Sequence, residues 1–150
     1  MLDHNKIYNP LSNYNKAISK LSANGIRPTK QRMILAKLLF EKGKRHISAE
    51  DLFDEVRNED RKISLATIYN TLKQFTSLGL IREIVVDQNK SLYCTNKESH
   101  YHLYIEDENK VIDIPTKNVD LNIPSIPACL KLHDVDVIVR IRTLKEKYNN

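Results

Sequence analysis

Apolar residues recur along this chain with two rhythms. From residue 11 to residue 79 they fall three and four apart, which places them on one side of successive helices. Beyond residue 80 they alternate or gather in short, partly β-branched runs, the habit of half-buried strands. Ala17, Ile18 and Leu21 mark a first helix over residues 11–23, stopped by Asn24 and Gly25. Pro28 biases Arg27 toward an extended backbone. Thr29 then caps a second helix whose stripe is Ile34, Leu35, Leu38 and Leu39. Ser48 opens a third, with Glu50 and Asp51 where the helix dipole favours acids, and Leu52, Phe53 and Val56 facing inward. The polar run 57–62 leads to a fourth helix over residues 64–79. Ser64 caps it, Gly79 ends it, and Leu65, Ile68, Leu72 and Phe75 form its core face. Residues 1–10 are polar and read as a flexible arm.

Residues 80–86 and 91–95 flank Asp87, Gln88, Asn89 and Lys90 and predict a β-hairpin. Helices followed by a hairpin are the layout of a winged helix-turn-helix, whose last helix enters the major groove of DNA. Residues 100–105 and 110–114, around Glu106, Asp107, Glu108 and Asn109, predict a second hairpin. The stretch 116–127, with Pro124 and Pro127, reads as a loop with a short helical piece after it. Val135, Val137 and Val139, alternating with Asp136, Ile138 and Arg140, predict a strand over 134–142; the tail 143–150 is charged, helical or frayed. The expected class is α+β. A winged-helix domain over residues 1–96 would precede a small α/β dimerisation domain over 97–150 with an antiparallel sheet. Three strands of this size hardly bury both faces alone, so a homodimer is expected.

Composition adds a direction. The chain has 150 residues and a formal net charge of +5. Residues 1–96 carry 16 Lys and Arg against 10 Asp and Glu, whereas residues 97–150 carry 8 against 9. A basic first half fits a nucleic-acid partner. No apolar run is long enough to span a bilayer and no apolar segment opens the chain, so a cytoplasmic protein without a membrane role is expected. Cys94 and Cys129 are too few for a disulfide framework and form no CxxC pair.

The helix 64–79 has an unusual outer face: Thr67, Asn70, Thr71 and Gln74, with Tyr69 and Lys73 beside them and no carboxylate. Amides and hydroxyls of this kind suit base edges, and Lys suits phosphate. An ordinary amphipathic helix explains the segment equally well by itself. His46, Cys94, His100, His102 and Asp113 are the metal-ligand candidates. His100 and His102 stand two apart on a strand, so both face one side, and Asp113 lies on the returning strand. Nitrogen, oxygen and sulfur donors suit iron, zinc or manganese. Two surface histidines are the simpler reading of the spacing alone. Tyr101 points to the other face, as core, dimer contact or haem ligand. No HExxH pairing is present, so a metal-dependent enzyme is disfavoured.

The chain resembles the ferric uptake regulator family over about residues 20–142, and most of all its iron response regulator branch. The resemblance is carried by GIRPTKQR (25–32), RHISAEDL (45–52), SLATIYNTL (64–72) and the His100, Tyr101, His102 run with EDEN (106–109). It implies a homodimeric winged-helix regulator of transcription that binds double-stranded DNA, not an enzyme. By the resemblance, Tyr69 lies at the base-reading position and Arg27 reaches the minor groove, with Thr67, Asn70, Thr71 and Lys73 on the same surface. It also implies a regulatory metal at His46, Cys94, His100, His102 and Asp113. Cys94 departs, because the family usually has Glu or Asp there. The family's CxxC structural zinc pair falls at Ile105 and Glu108, so no such zinc site is expected. A second acidic ligand of the neighbouring family site falls at Tyr101. The branch implies response to iron status or haem, with its three-histidine run reduced to His100, Tyr101 and His102. An alternative is a redox or peroxide sensor using Cys94 or a metal-bound His.

Overall fold

The computed structural model describes residues 10–144. The expected arm, apart from residue 10, lies outside the described residues, as do His4 and the tail beyond residue 144. The chain divides into two units, Met1–Lys97 and Glu98–Asn150.

The first unit contains α1 (Pro10–Ala23), α2 (Lys30–Glu41), β1 (His46–Ile47), α3 (Ala49–Asn58), α4 (Leu65–Ser77), β2 (Arg82–Asp87) and β3 (Lys90–Cys94). The three predicted caps form: Thr29, Ser48 and Ser64 accept from the backbone N–H of Arg32, Asp51 and Thr67. Each satisfies a donor that the helix leaves unpaired, worth about 1 kcal/mol. Leu21, Leu35, Leu39, Leu52, Ile68, Leu72 and Phe75 are fully buried and meet in one core; Phe53 and Leu65 are half-buried at its margin. Burial of each large side chain contributes about 1.5–3 kcal/mol. α4 ends as its sequence demands. Gly79 takes a φ of 67°, and the Leu80 and Gly79 N–H groups return to the Phe75 and Thr76 carbonyls.

The hairpin β2–β3 forms, with an unpredicted third strand. β1 pairs antiparallel with β3, giving the order β1-β3-β2. A two-residue strand has little stability of its own; Ile47 anchors it in the core and Arg45 secures its start. Its backbone N–H donates to Thr95 Oγ1 (3.0 Å), and its carbonyl accepts from the Thr95 N–H (3.0 Å). Its half-buried guanidinium meets the Glu55 carboxylate at 2.5 and 3.2 Å and the Leu38 carbonyl at 3.1 Å. Arg45 therefore ties α2 to α3 through its side chain and the end of β3 through its backbone.

The second unit holds β4 (His100–Ile105), β5 (Lys110–Pro115), a 3-10 turn (Thr116–Asn118) and β6 (Ile138–Ile141). β4 and β5 form the expected hairpin, turning through Asn109 at a φ of 52°. The third strand differs from expectation. β6 runs parallel to β4, so the sheet, ordered β5-β4-β6, is mixed. A parallel neighbour needs a long crossover, and residues 116–137 provide it without an α-helix. The expected helical piece after the prolines is a turn only, and the strand predicted over 134–142 is shorter. Alternation along β4 separates two faces. His100, His102 and Tyr104 are buried on one; Tyr101, Leu103 and Ile105 on the other are half-buried, beside Ile112, Val139 and Ile141, which are exposed. No helix among the described residues is long and apolar enough to cross a membrane.

The Arg45 clamp has an acid signature. Burial pushes the Glu55 carboxyl up, but Arg45 and Lys42 outweigh it and hold the group below its ordinary value. A carboxyl depressed on folding stabilises the fold above its unfolded value, and that stability is lost as pH falls through the folded one. Glu55→Gln should therefore lower the melting temperature at pH 7, and the gap to wild type should close between about pH 5 and 3. Thermal melts across that range check it; a gap independent of pH would refute the clamp.

Candidate functional site

α4 presents an outer surface that its core face fixes in place. Tyr69 is 43% exposed, and Asn70 and Lys73 are exposed beside it. Thr67 is half-buried, with its hydroxyl 2.9 Å from that of Ser64 at the cap. Thr71 does not belong to this exposed set. It is buried at the edge of the core face, beside Ile68 and Phe75, and its hydroxyl donates to the Thr67 carbonyl at 2.9 Å. Thr71 still lines the groove between α2 and α4, beside Thr67 and Asn70.

Arg27 is exposed on the turn before α2, where its carbonyl accepts from the Arg32 guanidinium (2.8 Å) and the Thr29 N–H (2.9 Å). Arg32 also donates through Nε to Gln74 Oε1 at 3.0 Å. That bond settles the Gln74 amide: its oxygen is occupied and its NH2 is left to donate outward. α2 and α4 thus line a groove of about 570 Å³ whose polar groups include Arg32, Asn70, Lys73 and Gln74. Arg32 escaped the sequence reading because its partner is 42 residues away. A second omission is Glu50. The helix carries no acid, but α3 brings one alongside, and the Tyr69 hydroxyl donates to Glu50. This bond, then burial and the carboxylate charge, push the Tyr69 phenol above its ordinary value, so it stays protonated at neutral pH.

The metal-ligand candidates form a set in each unit. In the first, pairing of β1 with β3 sets His46 directly opposite Cys94, with a ring nitrogen and the thiol sulfur within 4.8 Å. Cys94 is buried, and neither cysteine is in a disulfide. In the second, the hairpin register sets His102 opposite Asp113, with His100 two residues along on the same face. The His100 and His102 Nε2 atoms are 2.9 Å apart, and Asp113 Oδ1 lies 3.3 and 3.5 Å from them. The other His100 nitrogen, Nδ1, faces the Glu98 carbonyl at 2.5 Å. A carbonyl only accepts, so Nδ1 carries the proton, and Nε2 of the neutral ring offers its lone pair. Ligands about 2.0–2.2 Å from a shared ion stand about 2.9–3.5 Å apart at right-angle to tetrahedral geometry. These three donors fit one ion.

Haem does not fit the residues proposed for it. Tyr101 projects from the opposite side of the strand, whereas the two imidazoles are buried and converge on Asp113.

The fold and these residues define a winged-helix regulator of transcription, with metal-ligand side chains in both units. The ferric uptake regulator family model matches residues 23–141, and the chain belongs to that family. Its members are transcription regulators, not enzymes. The peroxide-responsive repressor PerR of Staphylococcus saprophyticus is 30% identical over 69% of this chain and 70% of its own length. PerR of Staphylococcus aureus strain Mu50 is 31% identical over 65% and 66%. The fold matches the manganese-containing ferric uptake regulator of Pseudomonas aeruginosa with a TM-score of 0.65 at 22% identity, over 85% of this chain and 97% of that one.

Proposed function

We propose that the chain is a homodimeric, sequence-specific DNA-binding repressor of iron homeostasis, gated by a divalent metal of the iron, manganese or zinc class. The observation that carries this reading is the spacing of His100, His102 and Asp113, three donors held for one ion in the second unit. In this proposal His46 and Cys94 complete the coordination from the first unit. Only residues 95–99 separate Cys94 from His100, and so short a tether keeps the two donor sets at high effective concentration. An ion taking ligands from both units would restrict their motion, and with it the presentation of α4 to DNA. The bound metal supplies a charge that pins the donors; the chain's own residues do the rest. Arg27 reaches the minor groove, Tyr69 and Asn70 read base edges, Lys73 meets phosphate and Thr67 positions the start of the helix.

A second reading is favoured by the buried Cys94 thiol opposite His46 and by the peroxide-responsive relatives. Peroxide would oxidise the thiol to a sulfenic acid with release of water, or would oxidise a metal-bound imidazole. Metal loading and DNA titration of one sample separate the two readings. Manganese or ferrous iron should tighten duplex binding and a chelator should reverse it. Asp113→Ala should weaken metal affinity about a hundredfold or more, since even supporting partners of a ligand are worth about 10–100-fold. Loss of DNA binding on mild peroxide, prevented by Cys94→Ser, selects the second reading. DNA affinity unchanged by every metal and by chelator rejects both.

Tyr69→Ala should cost about 1–3 kcal/mol at a cognate site and little at scrambled duplex. Fluorescence anisotropy on both sequences measures it, and equal losses would remove Tyr69 from base reading.

The dimer rests on the second face of β4. Leu103 and Ile105 lie between Ile112 on one side and Val139 and Ile141 on the other, an apolar surface that water does not favour. Val139→Glu should shift the protein to a monomer in sedimentation at micromolar concentration. A wild-type protein already monomeric with metal present would overturn the assignment.

A further inference from the structure

The first unit has a second, open cleft. It measures about 790 Å³ and is lined by α1 together with Leu80 and Lys97. Lys16 and Lys20, one helical turn apart, and Lys97, three residues beyond β3, all line it. No Asp or Glu lines it, and among the described residues none of the three ammonium groups is in an ion pair. Like charges one turn apart on a helix are mildly destabilising, and a third, brought in from beyond β3, adds to that. Lys20 has a local counterweight, the negative end of α4: its Nζ is 3.8 Å from where a Cβ on Gly79 would stand. Burial, then the charges of Lys20 and Lys16, push the Lys97 ammonium below its ordinary value, so the crowding is felt. Ser12, Asn15 and Ser19 add hydroxyl and amide groups, and Leu11, Ala23 and Leu80 supply an apolar wall.

We infer that this cavity is an anion site that takes a phosphate group through Lys16, Lys20 and Lys97. Three ammonium donors match the several oxygens and the charge of a phosphate, and the volume is that of a small-molecule pocket. The phosphate has two sources, a phosphorylated small molecule or the backbone of a DNA duplex running past α1.

Both are tested on the full-length protein with Lys16→Gln/Lys20→Gln/Lys97→Gln, which shortens the side chains modestly and removes the charge. Circular dichroism establishes that α1 persists. The first arm is calorimetric titration with magnesium-free ATP and with pyrophosphate. Wild type and a control variant, Lys37→Gln, should bind, and the triple variant should bind about tenfold or more weakly. This arm holds whether or not the chain binds DNA. The second arm is the salt dependence of binding to a random-sequence duplex. If the phosphates are those of DNA, the slope of log K against log salt should become shallower by about 2.7 in the triple variant, or about 0.9 for each ammonium group removed. Weakened ATP binding with an unchanged slope assigns a small phosphorylated ligand, and a reduced slope assigns the backbone. ATP affinity and salt slope both unchanged in the triple variant would overturn the site.

Discussion

Much of the first unit depends on the two hydrogen bonds that Arg45 and Thr95 exchange. They flank β1, whose Ile47 is buried in the core opposite Tyr93. With them, His46 has a single position, opposite Cys94. The Arg45 guanidinium extends the same constraint to α2 through the Leu38 carbonyl and to α3 through Glu55. The donor pair in this unit is therefore held by charge and backbone pairing at the edge of a core that buries its neighbours Ile47 and Tyr93. Lys42 also leans on Glu55 at 3.2 Å, so two cations share one carboxylate at the junction of α2 and α3.

The second unit solves a different problem with a simpler device. A strand has two sides, and β4 uses both. Its even-numbered residues carry the imidazoles that converge on Asp113; its odd-numbered residues carry the apolar surface. A shift of one residue in the β4–β5 register would exchange the two faces and break both at once. The chemistry and the assembly surface are thereby specified by one pairing.

The sequence made the local features readable where a residue type has one structural use. Thr29, Ser48 and Ser64 were legible as caps, Gly79 as a terminator, and the two hairpins from their turns and β-branched runs. The facing of His102 and Asp113 followed from alternation across a hairpin. What escaped had its cause elsewhere in the chain. β1 is too short to leave a period, and only its pairing with β3 makes it a strand. The direction of β6 is set by the path of residues 116–137, which carries no pattern of its own. Thr71 looked like part of the exposed face because threonine is polar, but it sits at the edge of the core face and is buried there. The Arg32–Gln74 and Tyr69–Glu50 bonds join helices, and no window along the sequence contains both partners.

The parallel pairing of β6 also bears on the order of assembly during folding. The β4–β5 hairpin closes a four-residue turn and can form early, because its loop entropy is small. Every donor of the second unit lies within that hairpin. β6 must wait for the crossover to close, a non-local step that costs more entropy before any contact rewards it. His100, His102 and Asp113 therefore come together on one face before the apolar face is complete.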